Sequence, residues 1–272
     1  MAADESPLGK PTDYPDRYDP SLLFAIPRAA QRASLGLGDV LPFDGADLWT
    51  AYEITWLEPG GKPALAVGYF RVPADSPCLV ESKSLKLYLG SFAQEPLAGR
   101  DEAAARIAAD LERACGAAVG VRLLPVEEVT GYRVDSAPGE SLDEIASSVE
   151  VYVPEPAFLV AGGASVEETL HSALFRSRCP VTGQPDYADV MIRYRGPRID
   201  RTGLLRYLVS YRRHAAFHEA CVERMFVELS ERCATSKLSV YARFLRRGGV
   251  DINPFRSNFE PPPSGFERSA RQ

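Results

Sequence analysis

The sequence is poor in histidine and in the motifs that would place it quickly. It has 3 histidines, His171, His214 and His218. His214 and His218 lie four apart, which would set two imidazoles on one face if a single helix held both. Only His171 remains as a further imidazole, and no resident metal is expected. His218-Glu219 begins like a zinc-protease motif, but its fifth position is Val222, so the motif fails. Gly36-Leu37-Gly38 lacks the third glycine of a dinucleotide fingerprint, and there is no Walker A loop. No run of about 18 apolar residues occurs, so no transmembrane helix is expected. Met1 to Lys10 is polar and lacks the apolar centre of a signal peptide.

Positive charge is also in deficit. The formal net charge is -6 and the pI is near 5.3. Such a surface repels phosphate backbones, so no direct nucleic-acid partner is expected. The 5 cysteines are odd in number and form no CxxC pair. That argues against a disulfide scaffold or a zinc ribbon, and for a reducing, cytoplasmic setting with free thiols. What is present is ordinary: 272 residues, 45% apolar, enough for one large domain or two of common size.

Residues 1–48 are rich in Pro, Asp and Gly and are expected to form an irregular arm. From Thr50 the pattern becomes periodic. Tyr52, Ile54 and Trp56 alternate, Glu58 to Pro63 is a turn cluster, and Ala64 to Val72 is a second strand. Leu85, Tyr88, Leu89 and Phe92 fall at helical spacing from about Ser82. A second helix is expected over Asp101 to Cys115, with Asp101 as N-cap. Val119 to Val126 then suits a strand. After a linker at 130–148 the order repeats. Val166 to Arg176 is a strand candidate that also suits a helix. Val190 to Tyr194 is a clearer strand. Helices follow from Asp200 and over about Phe217 to Arg232. Leu238 to Phe244 forms a last strand, closed by Gly248-Gly249. Two ββααβ modules result, an α+β class in which each antiparallel sheet carries a helix pair, with bounds 49–148 and 149–272.

Four constellations could carry chemistry. Cys179-Pro-Val-Thr-Gly-Gln-Pro-Asp186 puts a thiol at a strand end, seven residues before a carboxyl. The carboxyl could take the thiol proton and return it, and Arg176 and Arg178 could favour the thiolate. A small buried cysteine beside an ordinary turn explains the same residues. Phe217-His218-Glu219 could hold a purine-like ring, the carboxylate accepting paired N–H groups. A surface Glu and a capping His are the plain alternative. Glu81-Ser82-Lys83-Ser84-Leu85-Lys86 offers free helix-start N–H groups, a hydroxyl and two lysines to a phosphate, or is a solvated capped helix. Arg246-Arg247-Gly248-Gly249 could grip a phosphate, or is a charged turn.

Together these segments resemble the long, two-module form of the NADPH-dependent 7-cyano-7-deazaguanine (preQ0) reductases of queuosine biosynthesis. The similarity lies in Glu-Ser-Lys-Ser-Leu-Lys-Leu-Tyr at 81–88, the loop from Cys179 to Asp186 and Phe-His-Glu at 217–219. It extends to Leu-Ser-Val-Tyr-Ala-Arg at 238–243, Arg-Arg-Gly-Gly at 246–249, Asp-Ile-Asn-Pro at 251–254 and Pro-Thr-Asp-Tyr at 11–14. The resemblance implies tandem tunnelling-fold modules. It implies that Cys179 attacks the nitrile carbon to form a thioimide and that Asp186 transfers protons. It further implies that Phe217, His218 and Glu219, with Val80, Glu81 and Ser82, line the substrate site. Ser82, Lys83, Arg247 and Gly248 would contact NADPH, and the partners would be preQ0 and a second copy of the chain in a homodimer.

The helix start Asp200-Arg201-Thr202 lacks the Glu-Ser-Lys-Ser signature, and the first module has no Cys-to-Asp loop. A composite site, one per chain, is therefore expected. Two other readings stand beside it: a zinc-dependent pterin or GTP-ring enzyme on the same fold, and a non-catalytic binder of a deazapurine.

Overall fold

The computed structural model describes residues 14–129, 134, 137–264 and 268–272. The chain divides into two compact units. Unit 1 comprises Met1–Arg32, Asp47–Tyr132 and Arg246–Ile252; unit 2 comprises Ala33–Ala46, Arg133–Leu245 and Asn253–Gln272. They are therefore not consecutive halves divided at 148, as the expected bounds would have it.

Unit 1 begins with segments expected to be irregular. A short 3-10 turn, Pro20–Leu22, is capped by Asp19, and strand β1 (Ala25–Pro27) and helix α1 (Ala29–Ala33) follow. Tyr18 donates to Asp110 at 2.6 Å, tying this part of the chain down. The segment Pro11 to Asp13 lies outside the described residues. Strands β2 (Asp44–Leu57) and β3 (Pro63–Pro73) form the expected hairpin, with β2 starting earlier than Thr50. A short strand β4 (Cys78–Val80) pairs antiparallel with β1. Helices α2 (Ser82–Gly90) and α3 (Arg100–Cys115) and strand β5 (Gly120–Leu124) complete the order, and β5 lies antiparallel beside β3. The N-cap of α3 is Gly99, not Asp101. Glu102 instead reaches back to the Ala98 N–H at 2.7 Å. A single turn, α4 (Val126–Val129), follows. The unit's core joins Trp49, Ile54, Trp56 and Phe70 of the sheet to Leu85, Tyr88, Ile107 and Leu111 of the helices. Burial of such apolar side chains contributes about 1.5–3 kcal/mol each.

Unit 2 repeats the order. A two-residue strand β6 (Glu140–Ser141) runs parallel to the edge of β7 (Ala161–Arg178). The linker expected at 130–148 therefore carries a strand, and its residues 130–133, 135 and 136 lie outside the described ones. β7 is a strand throughout, which settles the ambiguity of its pattern. It pairs antiparallel with β8 (Pro185–Ile199). Helices α5 (Arg201–Ser210) and α6 (His218–Cys233) pack on the sheet, and β9 (Lys237–Phe244) lies against β8. β9 is not the last strand. β10 (Val250–Ser257) pairs antiparallel with it from Phe255↔Tyr241 to Ser257↔Ser239. Its Asp, Asn and Pro hid it from a propensity reading. Both units are thus α+β, with antiparallel sheets carrying helices apart from the short parallel β6.

One irregularity sets the site. Ser172 pairs with Val190, but Phe175 pairs with Ala188, so β7 holds one residue more than β8 over this stretch. This is a β-bulge, and it inverts which side chains face inward. Leu170 and Ser172 are buried before it; Phe175, Ser177 and Cys179 are buried after it.

Candidate active site

Cys179 follows β7 and opens the loop to β8. Its N–H donates to the Gln184 carbonyl at 2.8 Å, and its own carbonyl accepts from Gly183 at 3.0 Å. Gly183 has φ +69, the left-handed conformation such a tight loop needs. Ser177 lies opposite Asp186 in the ladder. Residues two apart on a strand and residues directly opposite share a face. Cys179, Ser177 and Asp186 therefore project from the same buried side of the hairpin, with thiol and carboxyl as diagonal neighbours. Arg176 and Arg178 alternate onto the other face. Arg176 donates to the Arg212 carbonyl at 2.5 Å and lies over the Tyr187 ring. The expectation that Arg176 and Arg178 favour the thiolate is corrected: strand alternation turns both away from it.

Helix α6 brings the second group. Phe217 is its N-cap residue, His218 its first residue and Glu219 its second. His218 Nε2 lies 3.4 Å from Asp186 Oδ2. The imidazole stacks on the Phe244 ring with centroids 3.8 Å apart and an interplanar angle of 5°. Its Nδ1 is buried and has no hydrogen-bond partner among the described residues, leaving one ring nitrogen to meet a ligand. Glu219 is buried rather than on the surface, where the helix N-terminus favours its carboxylate. The structure thus brings Cys179, Asp186, His218 and Glu219 to the helix-covered side of one sheet. Phe244 is the residue sequence reasoning missed as a site residue; it was assigned only to a strand core.

His214 lies before α6, in extended backbone, so the spacing of four does not put it on a helix face with His218. Burial and the nearby Arg224 lower its pKa to about 4. Among the described residues no group of three or more His, Cys, Asp or Glu is arranged to hold a metal ion. Burial pushes the thiols of Cys115 and Cys221 up to about 12 and that of Cys233 to about 11, which withdraws them from nucleophilic chemistry.

In unit 1, Val80 ends β4 and is buried, and Glu81 caps α2. The Glu81 carboxylate accepts from the Lys83 N–H at 2.7 Å and the Ser84 N–H at 2.8 Å; the Ser82 hydroxyl donates to it at 3.3 Å. The helix start is therefore not a set of free N–H groups awaiting a phosphate. An internal carboxylate already takes two of them, and a phosphate must rely on side chains. Nor is the cap solvated, because Glu81 is buried. Oε1 accepts from both Lys83 and Ser82, whereas Oε2 accepts from Ser84 and keeps a second lone pair for a ligand.

The glycines after Arg247 form a defined turn rather than a loose one. Arg247 and Val250 exchange N–H···O bonds of 3.0 and 3.3 Å, and Gly248 and Gly249 have φ of +58 and +77. This is the two-residue turn that needs left-handed backbone at both central positions. A Cβ at Gly248 would lie 3.5 Å from Lys86 Nζ, so the Lys86 side chain runs along this turn. Arg246 lies over the Tyr52 ring at 4.5 Å. Lys86 is therefore the cation that lies against Gly248, in the turn that directly follows Arg246 and Arg247 in the chain.

Comparisons with known proteins place the chain in a family. Residues 14–123 match the family described as "Nitrile reductase, 7-cyano-7-deazaguanine-reductase N-term", and residues 185–263 match "QueF-like protein". Proteins named NADPH-dependent 7-cyano-7-deazaguanine reductase from Burkholderia pseudomallei (strain 1106a) and Burkholderia ambifaria (strain MC40-6) are each 52% identical over 274 residues, covering 100% of both chains. The chain belongs to the NADPH-dependent 7-cyano-7-deazaguanine reductase family. A relative of the same name from Burkholderia multivorans (strain ATCC 17616 / 249) is 51% identical, again with 100% coverage of both chains. A solved structure of an archaeosine synthase QueF-Like in the apo form matches 35% of this chain and 94% of its own at 15% identity, with a TM-score of 0.31. Among the described residues no helix is long and apolar enough to cross a membrane.

Proposed function

We propose that this protein reduces the nitrile of preQ0 to the aminomethyl group of preQ1 in queuosine biosynthesis, through a thioimide on Cys179. The observation that carries this reading is the shared buried face of Cys179 and Asp186, with His218 Nε2 3.4 Å from the Asp186 carboxylate. A linear nitrile resists direct hydride attack. Cys179 adds its sulfur to the nitrile carbon, and Asp186 accepts the thiol proton and hands it to the nitrogen, which turns C≡N into a thioimide C=N. NADPH, when bound, would supply two hydrides in succession to that carbon, and Asp186 relays two protons from solvent, one to the nitrogen and one back to the departing Cys179 sulfur. Cys179 leaves once the carbon has taken the first, and the buried hairpin face keeps water from the imine. His218, through its remaining ring nitrogen, and Glu219 hold the base, with Phe217, Val80, Glu81 and Ser82 lining it. Ser82, Lys83, Arg247 and Gly248 hold the cofactor phosphates, with Lys86 and Arg246 adding charge. The acidic protein acts in the cytoplasm on the free base as a homodimer and does not bind the tRNA.

Intact mass after incubation with preQ0 and no cofactor tests the bond. The protein gains one substrate mass, and Cys179→Ala gains none. An increase that persists in Cys179→Ala, or is absent from both, refutes the thioimide.

A further inference from the structure

Residues 268–272 belong to neither the thiol hairpin nor α6, yet two of them hold the supports of both. Phe244 ends β9 beyond the paired part of β10. Its N–H donates to Asn253 Oδ1 at 3.2 Å, and its carbonyl accepts from Gln272 Nε2 at 3.1 Å. The same Nε2 donates to Asn253 Oδ1 at 2.6 Å, while Gln272 Oε1 accepts from the Ser269 N–H at 3.0 Å. One donor end faces two acceptors and one acceptor end faces a donor, so the buried amide satisfies its surroundings in a single orientation. Side-chain amides here take the place of ladder hydrogen bonds around the residue whose ring stacks on His218.

Arg271 grips the bulge. A bulge residue leaves its own N–H and carbonyl outside the ladder, and both need partners. The Ala173 N–H donates to Asp143 Oδ2 at 3.0 Å, and Ser172 Oγ donates to Asp143 Oδ1 at 2.6 Å. On the other side the Ala173 carbonyl accepts from Arg271 Nη2 at 2.9 Å, and that guanidinium also pairs with Asp189 on β8. The bulge is what turns Cys179 onto the buried face.

We propose that Arg271 and Gln272 are positioning residues for the reduction: Arg271 fixes the bulge that sets the direction of Cys179, and Gln272 fixes the Phe244 ring that sets the plane of His218. Neither touches the reacting atoms. The inference rests on the assignment of Cys179, Asp186 and His218 given above, so its test carries a control for that assignment.

The experiment measures kcat, KM for preQ0 and for NADPH, the rate of adduct formation and the thermal midpoint. The variants are Gln272→Ala, Phe244→Leu, their double, Arg271→Met and Asp186→Asn. Displacement of a reacting group by a fraction of an ångström costs about tenfold or more in rate. Gln272→Ala therefore lowers kcat about tenfold with KM for NADPH unchanged, and it causes no further loss in the Phe244→Leu background, since the two act through one path. Arg271→Met slows adduct formation to a similar degree while KM for NADPH holds. Wild-type kcat in Gln272→Ala, or a loss that multiplies with that of Phe244→Leu, overturns the role of Gln272. Wild-type adduct rates in Arg271→Met overturn that of Arg271. Normal turnover in Asp186→Asn sinks the underlying assignment instead. Should Gln272→Ala fail to fold, Gln272→Met keeps the side-chain length without charge and removes the amide's hydrogen bonds, and the same expectation applies.

Discussion

Each unit contains a hairpin loop built in a similar way. In unit 1 the Glu58 N–H donates to Lys62 and the Glu58 carbonyl accepts from Gly61; in unit 2 the Cys179 N–H donates to Gln184 and its carbonyl accepts from Gly183. Both glycines have positive φ. The outcomes differ. The Glu58 side chain is 46% exposed and pairs loosely with Lys62 at 3.7 Å, whereas Cys179 is 6% exposed and shares a face with Asp186. The helix starts differ in the opposite sense. Glu81 closes two N–H groups of α2, while Asp200 closes one N–H of α5, that of Gly203 at 2.6 Å. The same scaffold thus carries its proposed reactive group on a loop in one unit and its more heavily capped helix start in the other.

Swapping losses between the loops gives the largest expected effect. Cys179→Ala removes turnover by on the order of a thousandfold or more, read as NADPH oxidation in the presence of preQ0. Glu58→Ala leaves the rate at the wild-type level. Equal rates for the two variants would erase the distinction between the loops. The helix caps come next. Glu81→Ala costs about 2–3 kcal/mol and Asp200→Ala about 1 kcal/mol, because the first strands two buried N–H groups and the second one. Thermal unfolding midpoints rank the two, and a larger loss in Asp200→Ala reverses the comparison. The smallest effect is in pH. All three histidines lie in unit 2, and His214 is depressed from 6.5 to about 4. The unfolded chain then binds the extra proton in that window, so the stability His214 contributes is present above about pH 6.5 and is lost as pH falls toward 4. His214→Gln should flatten the fall of the midpoint over that range. An unchanged slope would remove His214 from the acid response.

Much of the arrangement was legible because its signals are local. Apolar spacing from Leu85 to Phe92 and from Val222 to Leu229 specified helices, and the turn cluster at Glu58 to Pro63 specified a hairpin. The elements that escaped are those whose partners lie far along the chain. β1 depends on β4, and β10, with its Asn and Pro, is held as a strand by pairing such as that with β9. The first-turn N–H groups of α2 looked available because Glu81 could be seen in the sequence but its fold back onto Lys83 and Ser84 could not.

The sequence by itself determined which atoms are available for chemistry: a thiol seven residues before a carboxyl, and a His-Glu pair at a helix start. It determined the alternation of β7 as well, but not its phase. Counting inward from Leu170 and Ser172 would have put Arg176 and Arg178 inside and Cys179 outside. One extra residue at Ala173 or Leu174 reverses this, and that residue is held by Asp143 and Arg271, 30 and 98 positions away. Periodicity fixes a pattern within a segment; which face of the pattern meets the core is set by contacts that only the folded chain brings together.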